Sequence, residues 1–326
     1  MERLFFFVAV GLLAILGLFI EQSYLLHILI LCFIWSMVVA CWDLVMGYAG
    51  IFNFAQLVFF AVGAYASAMA SIHLGVPSVA ALAIGGLVAG LAGLLIGLPC
   101  LRLRGEYIAL FTFAVHLALP PLILQGRPLG TGGSTGLMGI PPLRFGDYVL
   151  HSIHKLPWYY FALILASVAI YVVYMVILRG RWGRAFVAMR DSEDFAKCLG
   201  VNDYKYKLIV FTISAAITGV AGAMYAHYVG VVTPKILGTE FFLMVMVMLS
   251  IGGLGRFPGV VVGAFAITIG NELLRMVGQY RLMLLGLAVV LTVLFLPNGI
   301  AELYDRYDRF KLKRRASLSP GRIESE

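Results

Sequence analysis

Residues 44–101 read LVMGYAGIFNFAQLVFFAVGAYASAMASIHLGVPSVAALAIGGLVAGLAGLLIGLPCL, 58 positions without one Asp, Glu, Lys or Arg. A helix crosses the hydrocarbon core of a bilayer with about 20 mostly apolar residues, so this stretch holds two spans and the turn between them. The chain is expected to live in a membrane.

The pattern recurs along the sequence. Uncharged apolar blocks run Leu4–Ile20, Tyr24–Trp42, Ala55–Ile72, Val79–Leu98, Tyr107–Leu124, Tyr159–Leu178, Leu208–Tyr228, Phe241–Gly253, Val260–Asn271 and Leu282–Leu296. These predict an all-α polytopic membrane protein of about ten transmembrane helices, some broken or re-entrant. A β-barrel is excluded, because its strands alternate apolar and polar positions, whereas these blocks are continuous. At 62% hydrophobic and 12% charged residues, the composition is also far from that of a soluble domain. The block Phe241–Gly253 is short: its 13 residues cover about 20 Å of a core about 30 Å thick. It is either a half-helix turning back at Gly252-Gly253-Leu254-Gly255 or a tilted span. Leu4–Ile20 follows Glu2-Arg3 without a small-x-small cleavage site, and reads as a retained first span.

Net charge is +8, yet fourteen of the twenty-four Lys and Arg fall in two segments, 179–207 and 301–326, each beside an apolar block. The positive-inside rule explains this more simply than nucleic acid does. With both termini cytoplasmic, inside segments collect eighteen cations and outside segments six. The expected organisation is a transmembrane domain over 1–300 with a cytoplasmic loop at 179–207, then a basic cytoplasmic tail at 301–326. Cys32, Cys41, Cys100 and Cys198 show no disulfide or metal spacing. There is no phosphate loop, Gly-x-Ser-x-Gly or paired His ligand motif, so no catalytic, cofactor or metal residue is expected in this chain.

The glycines fall into two groups. Gly86 with Gly90, and Gly93 with Gly97, are small-xxx-small pairs that let helices pack closely. Gly47 and Gly50 lead into Ile51-Phe52-Asn53-Phe54-Ala55-Gln56, and Gly252, Gly253 and Gly255 into Arg256-Phe257-Pro258. Non-helical backbone at membrane depth survives only where protein or water satisfies it. These segments are therefore either turns bordering a pathway, with Asn53 and Gln56 as its polar groups, or ordinary tight turns.

The loop after Leu178 carries the strongest functional signal. Asp191 as N-cap, Glu193 and Asp194 in the first turn and Gly200 as the C′ residue predict a helix from Ser192 to Leu199. Phe195, Ala196 and Leu199 form an apolar strip on it, and Trp182, Phe186 and Met189 repeat the arrangement upstream. An apolar face on a cytoplasmic loop calls for a partner.

Gly47-Tyr48-Ala49-Gly50, Arg102-Leu103-Arg104-Gly105-Glu106-Tyr107, Thr131-Gly132-Gly133-Ser134-Thr135-Gly136, Arg181-Trp182-Gly183-Arg184-Ala185, Ala196 with Gly200, and Gly252-Gly253-Leu254-Gly255 stand in register. In order and spacing they resemble the membrane subunits of branched-chain amino-acid-type ABC importers, in particular the longer of the two permeases. The resemblance spans about residues 40–300. It implies a second related permease forming a heterodimer, two cytoplasmic ATPases that hold ATP and Mg, a periplasmic binding protein delivering a small solute, and an inner-membrane location. It also implies that the segment around Ala196 and Gly200 sits in a groove of the ATPase.

One departure concerns the solute. The family carries an acidic residue further along the span that follows the Arg-Gly-acid-Tyr motif, where this chain has Thr112-Phe113-Ala114-Val115-His116-Leu117. His116, near mid-span, is either a neutral His satisfied by a neighbouring helix or one facing a translocation path. Pro120-Pro121 beyond it is expected to kink or end the helix. The alternative reading, an ion-coupled secondary transporter, needs coupling ionisable groups inside the bundle. Asp43, Glu240, Glu272 and Arg275 instead lie near predicted span ends, with Glu272 and Arg275 spaced as a local pair.

Overall fold

The computed structural model describes residues 2–103, 105–145, 148–150 and 155–274, with isolated positions at 283, 284, 286, 287 and 290. The expected span Leu282–Leu296 lies mostly outside the described residues, and Arg275 and the tail from 301 lie outside them.

The helices are α1 (Glu2–Phe19), α2 (Ser23–Asp43), α3 (Gln56–His73), α4 (Ser78–Cys100), α5 (Glu106–Gln125), α6 (Lys155–Tyr171), α7 (Arg181–Asp191), α8 (Glu193–Cys198), α9 (Asp203–Val229), α10 (Thr239–Gly252) and α11 (Gly259–Leu273). Among the described residues six helical stretches are long and apolar enough to cross a membrane: Ser23–Tyr48, Gln56–His73, Ser78–Cys100, Glu106–Gln125, Lys155–Ile177 and Asp203–Val229. Shorter apolar helices fill Phe6–Phe19, Thr239–Gly252 and Gly259–Leu273. The protein is an all-α polytopic membrane protein. Among the described residues the strands are two-residue pairs: β1 (Leu137–Met138) with β4 (Val231–Val232), and β2 (Arg144–Phe145) with β3 (Tyr148–Val149).

Hydrogen bonds across the bundle define its two ends. At one, the loop end, Arg190 reaches the carbonyl of Gly47 and the Tyr204 hydroxyl reaches that of Leu98. At the other, the far end, the Ser78 hydroxyl donates to the Pro142 carbonyl and the Trp158 indole to that of Leu150. Phe6 stacks near Tyr171, so α1 begins towards the loop end.

The centre is α9 flanked by α3 and α4. Gly86, Gly90, Gly93 and Gly97 line the α4 face against α9, where added Cβ atoms would press on Val220, Ala216, Ala215, and Leu208 with Phe211. Lipid gives no hydrophobic drive to this pairing, so close backbone approach supplies it through dispersion contacts. The packing reading of these glycines holds. α5 is different: it buries only Ile108, Thr112, His116 and Ile123, at spacings that form one stripe, and turns its remaining sides outward.

The structure decides or refines three expectations. α5 runs through Pro120 and Pro121 to Gln125 instead of ending there. The two missing N–H donors release only the carbonyls one turn back, a loss membrane helices tolerate. α2 likewise does not stop at its apolar limit but continues as a π-helical turn over Leu44–Tyr48. The short block Phe241–Gly253 is α10, whose 14 residues make about 21 Å. It starts beside His116, halfway along α5, since Phe242 lies 5.1 Å from that ring and Leu237 presents its backbone to it. The preceding segment Gly230–Gly238, expected outside, therefore dips into the bundle.

Gly93→Leu should force α4 off Ala215, an overpacking cost of about 1–3 kcal/mol, and lower the melting temperature in detergent. Gly11→Leu, at a position with open space, should leave it unchanged. Equal melting temperatures would contradict the α4–α9 contact.

Candidate functional site

Two glycine turns far apart in sequence meet at the loop end. Asp43, fully buried, accepts a hydrogen bond from the Gly255 amide at 2.6 Å and one from the Tyr174 hydroxyl at 2.9 Å. Tyr174 belongs to a second π-helical turn, Val172–Ile177, which continues α6. Its ring packs 4.3 Å from Phe257 and 6.0 Å from Tyr48, whose hydroxyl accepts from the Phe257 amide. Wide π-turns are common at functional positions, and here two of them face one another across one carboxyl group.

Glycine is required at this junction by contact. A Cβ on Gly47 would strike the Asp43 carboxyl and the Gly255 amide. Gly255 has φ +70°, a region that costs other residues strain. The loop joins at the same point: Arg190, near the end of α7, donates from Nη1 to the Gly47 carbonyl at 2.9 Å, and its exposed pair with Asp191 is 3.1 Å long. One arginine thus connects the loop helices to the turn after α2.

The loop's two helices divide their apolar residues. Phe186, Met189 and Ala196 are buried within this chain, Phe186 against Tyr206 at 6.4 Å. Trp182, Phe195 and Leu199 are exposed, at 44%, 64% and 68%. The exposed set is accordingly smaller than the sequence suggested, because the start of α9 gives the inner face something to pack against. Asp191 is not the N-cap: it ends α7, and Ser192 caps α8 by accepting from the Phe195 amide at 3.3 Å. Gly200 is the C′ residue as expected, with φ +82° and bonds from Gly200 to Lys197 and Val201 to Ala196 that close a Schellman turn. Lys207, buried on α9, pairs with Glu193, and Lys197 with Asp203 at 3.2 Å. The loop is fixed to the membrane part at both ends.

Above the junction, the segment Gly50–Ala55 re-enters the bundle. Asn53 and Gln56 are fully buried there. The Asn53 amide donates to Gln56 at 3.2 Å, and Gln56 donates to Ser214 at 3.0 Å and to Thr218. Trp42 serves the Asn53 carbonyl at 2.6 Å and Thr112 receives the Phe54 amide at 3.0 Å. Every one of these partners belongs to this chain, so the segment is non-helical backbone satisfied by protein. In this structure Asn53 and Gln56 hold α3 to α9. His116 is likewise buried, at 3% exposure, packed on Phe113 and Phe242 with Nδ1 unpartnered. It lies against the Leu237 backbone on the re-entrant approach to α10.

Residues 24–296 match the family described as "Branched-chain amino acid transport system / permease component". The chain belongs to this permease family. It is 32% identical over 278 residues to the high-affinity branched-chain amino acid transport system permease protein LivM of Escherichia coli, covering 79% of this chain and 63% of LivM. LivH of the same organism, a permease of the same named system, is 25% identical over 289 residues, covering 82% of this chain and 90% of LivH. A fructose import permease protein, FrcC of Rhizobium meliloti, is 26% identical over 141 residues, covering 41% of this chain and 39% of FrcC. The chain thus spans under two thirds of the length of LivM. No solved structure matches.

Within this permease fold the sequence reading found the glycines, Gly200 and the exposed Phe195 and Leu199, and missed Asp43, Tyr174 and Arg190. Asp43 carried one signal: it precedes Gly47 by one helical turn and shares its face. Gly47→Ala should open the junction and release α7, so that trypsin cuts after Arg190 several-fold faster. Gly270→Ala, with nothing within 4 Å, should not, and an unchanged cleavage rate for Gly47→Ala would refute the close contact.

Proposed function

We propose that this chain is a membrane subunit of an ATP-binding-cassette importer that moves a small solute, a branched-chain or other amino acid or a related small carboxylate or amide. It works beside a second related permease, with two ATPase subunits that carry the ATP and Mg and a periplasmic binding protein that delivers the solute. The observation that carries the reading is the loop itself. α8 presents exposed Phe195 and Leu199 away from the bundle, while Arg190 of α7 bonds the same loop to the Gly47 turn after α2, on which the Gly255 turn after α10 packs. A surface built to be gripped and wired to both turns suits a subunit moved by an external motor. Family membership and the named systems of LivM and LivH favour the same reading, and FrcC shows why the solute must be tested directly. The loop end, with its cations, is placed in the cytoplasm together with both termini, in a bacterial inner membrane.

In proteoliposomes holding the assembled complex and leucine-loaded binding protein, uptake should survive ionophores and stop when ATP hydrolysis is blocked. Phe195→Glu with Leu199→Glu should reduce assembly with the ATPase at least about tenfold by placing charge at an apolar contact, while the membrane helices keep their melting temperature. Cys198, exposed in the loop, should react in intact cells only with membrane-permeant thiol reagents. Uptake driven by an ion gradient without ATP would instead establish the secondary transporter.

A further inference from the structure

A cavity of about 240 Å³ lies apart from the junction, lined by Tyr225, Val231, Thr233, Lys235, Ile236 and Phe241. Its depth is set by its neighbours. Phe241 stacks 5.8 Å from Trp35, midway along α2, and Leu237 lies against His116, midway along α5. Its upper wall is at the far end, where β4 pairs with β1. There Gly136, with φ +70°, packs directly on the backbone of Val232 and Thr233. The Thr131–Gly136 motif, to which the junction gives no task, thereby braces the segment that forms the cavity.

Lys235 is exposed and is the charged side chain in this lining. Glu240, next to Phe241, does not line the cavity. A cation on the rim of a membrane bundle faces water, a counter-charge or a ligand. The remaining lining offers two hydroxyl-bearing side chains, Tyr225 and Thr233, and an apolar wall of Val231, Ile236 and Phe241. A polar cationic corner beside an apolar wall fits a solute with an anionic head and an apolar body. The volume is below the about 300–1,000 Å³ of drug-sized sites, which limits that solute to a small one.

We propose that this cavity receives the carboxylate of the passing solute on Lys235, with Thr233 as its second polar contact and Phe241 against its apolar part. The proposal rests on the importer reading above and adds to it a recognition site in the far half of the membrane domain.

The test uses the complete complex in proteoliposomes with leucine-loaded binding protein. Lys235→Met should lower leucine uptake about tenfold, the loss expected for one charge-assisted hydrogen bond, with assembly and stimulated ATP hydrolysis retained, while Lys235→Arg keeps most of the uptake. The loss should be the same in phosphatidylcholine alone and with anionic lipid added. In a Thr233→Cys variant, a negatively charged methanethiosulfonate applied from the far side should label faster than a positively charged one, and Lys235→Met should abolish that preference. Wild-type uptake in Lys235→Met, a loss confined to anionic lipid, a loss explained by failed assembly, or charge-independent labelling would each overturn the site. Absence of ATP-dependent uptake in the wild-type complex would instead overturn the importer reading itself.

Discussion

The Asp43 carboxyl group is the constraint from which the rest of the loop end follows. It sits beyond solvent, where an unsatisfied polar group costs about 1–3 kcal/mol and more if charged. Two donors therefore have to reach it, the Gly255 amide and the Tyr174 hydroxyl. Bringing Gly255 so close leaves no room for a side chain at position 47. Glycine there exposes the carbonyl that Arg190 takes. A buried acid, a bare backbone and a loop arginine form one chain of necessity, and each link requires the one before it.

A second constraint explains the polar residues above. Gly50–Ala55 and Gly230–Gly238 are not α-helical although they enter the bundle, and lipid cannot satisfy their backbone groups. The structure answers with Thr112 and Trp42 for the first segment, and with His116, the β1–β4 pairing and a 3-10 turn over Pro234–Leu237 for the second. α3 and α10 thus both begin inside the bundle and not at its surface. α10, the short one, can shift without dragging a full span through the bilayer, the arrangement on which transporters with broken helices rely.

The fold was largely legible because its signal is additive. Each span announces itself over many residues, and the small residues of α4 fall on one face whatever their neighbours are. The site was only partly legible, because it is made by distant residues meeting. Asp43 looked like a charge at a span end, and nothing local says that Tyr174 and Gly255 close over it. The strip around Ala196 misled in the same way: periodicity places a residue on a face, but only tertiary structure tells whether α9 or a partner covers that face. Ala196 and Phe186 went inward and Phe195 and Leu199 outward. Capping was off by one position, since Ser192 and Asp191 are both good caps and the geometry of α7 decided between them. The re-entry before α10 left only a short block and a lysine as clues.

The central claim is that motion of the loop reaches both membrane turns through Arg190. Amide hydrogen exchange on the assembled complex, with and without ATP, measures it most directly. Exchange in the peptides covering residues 49–56 and 253–257 should change together with that of α7, and Arg190→Ala should leave the α7 change while removing the other two. Membrane turns that respond equally in the Arg190→Ala complex, or that never respond while α7 does, would contradict it.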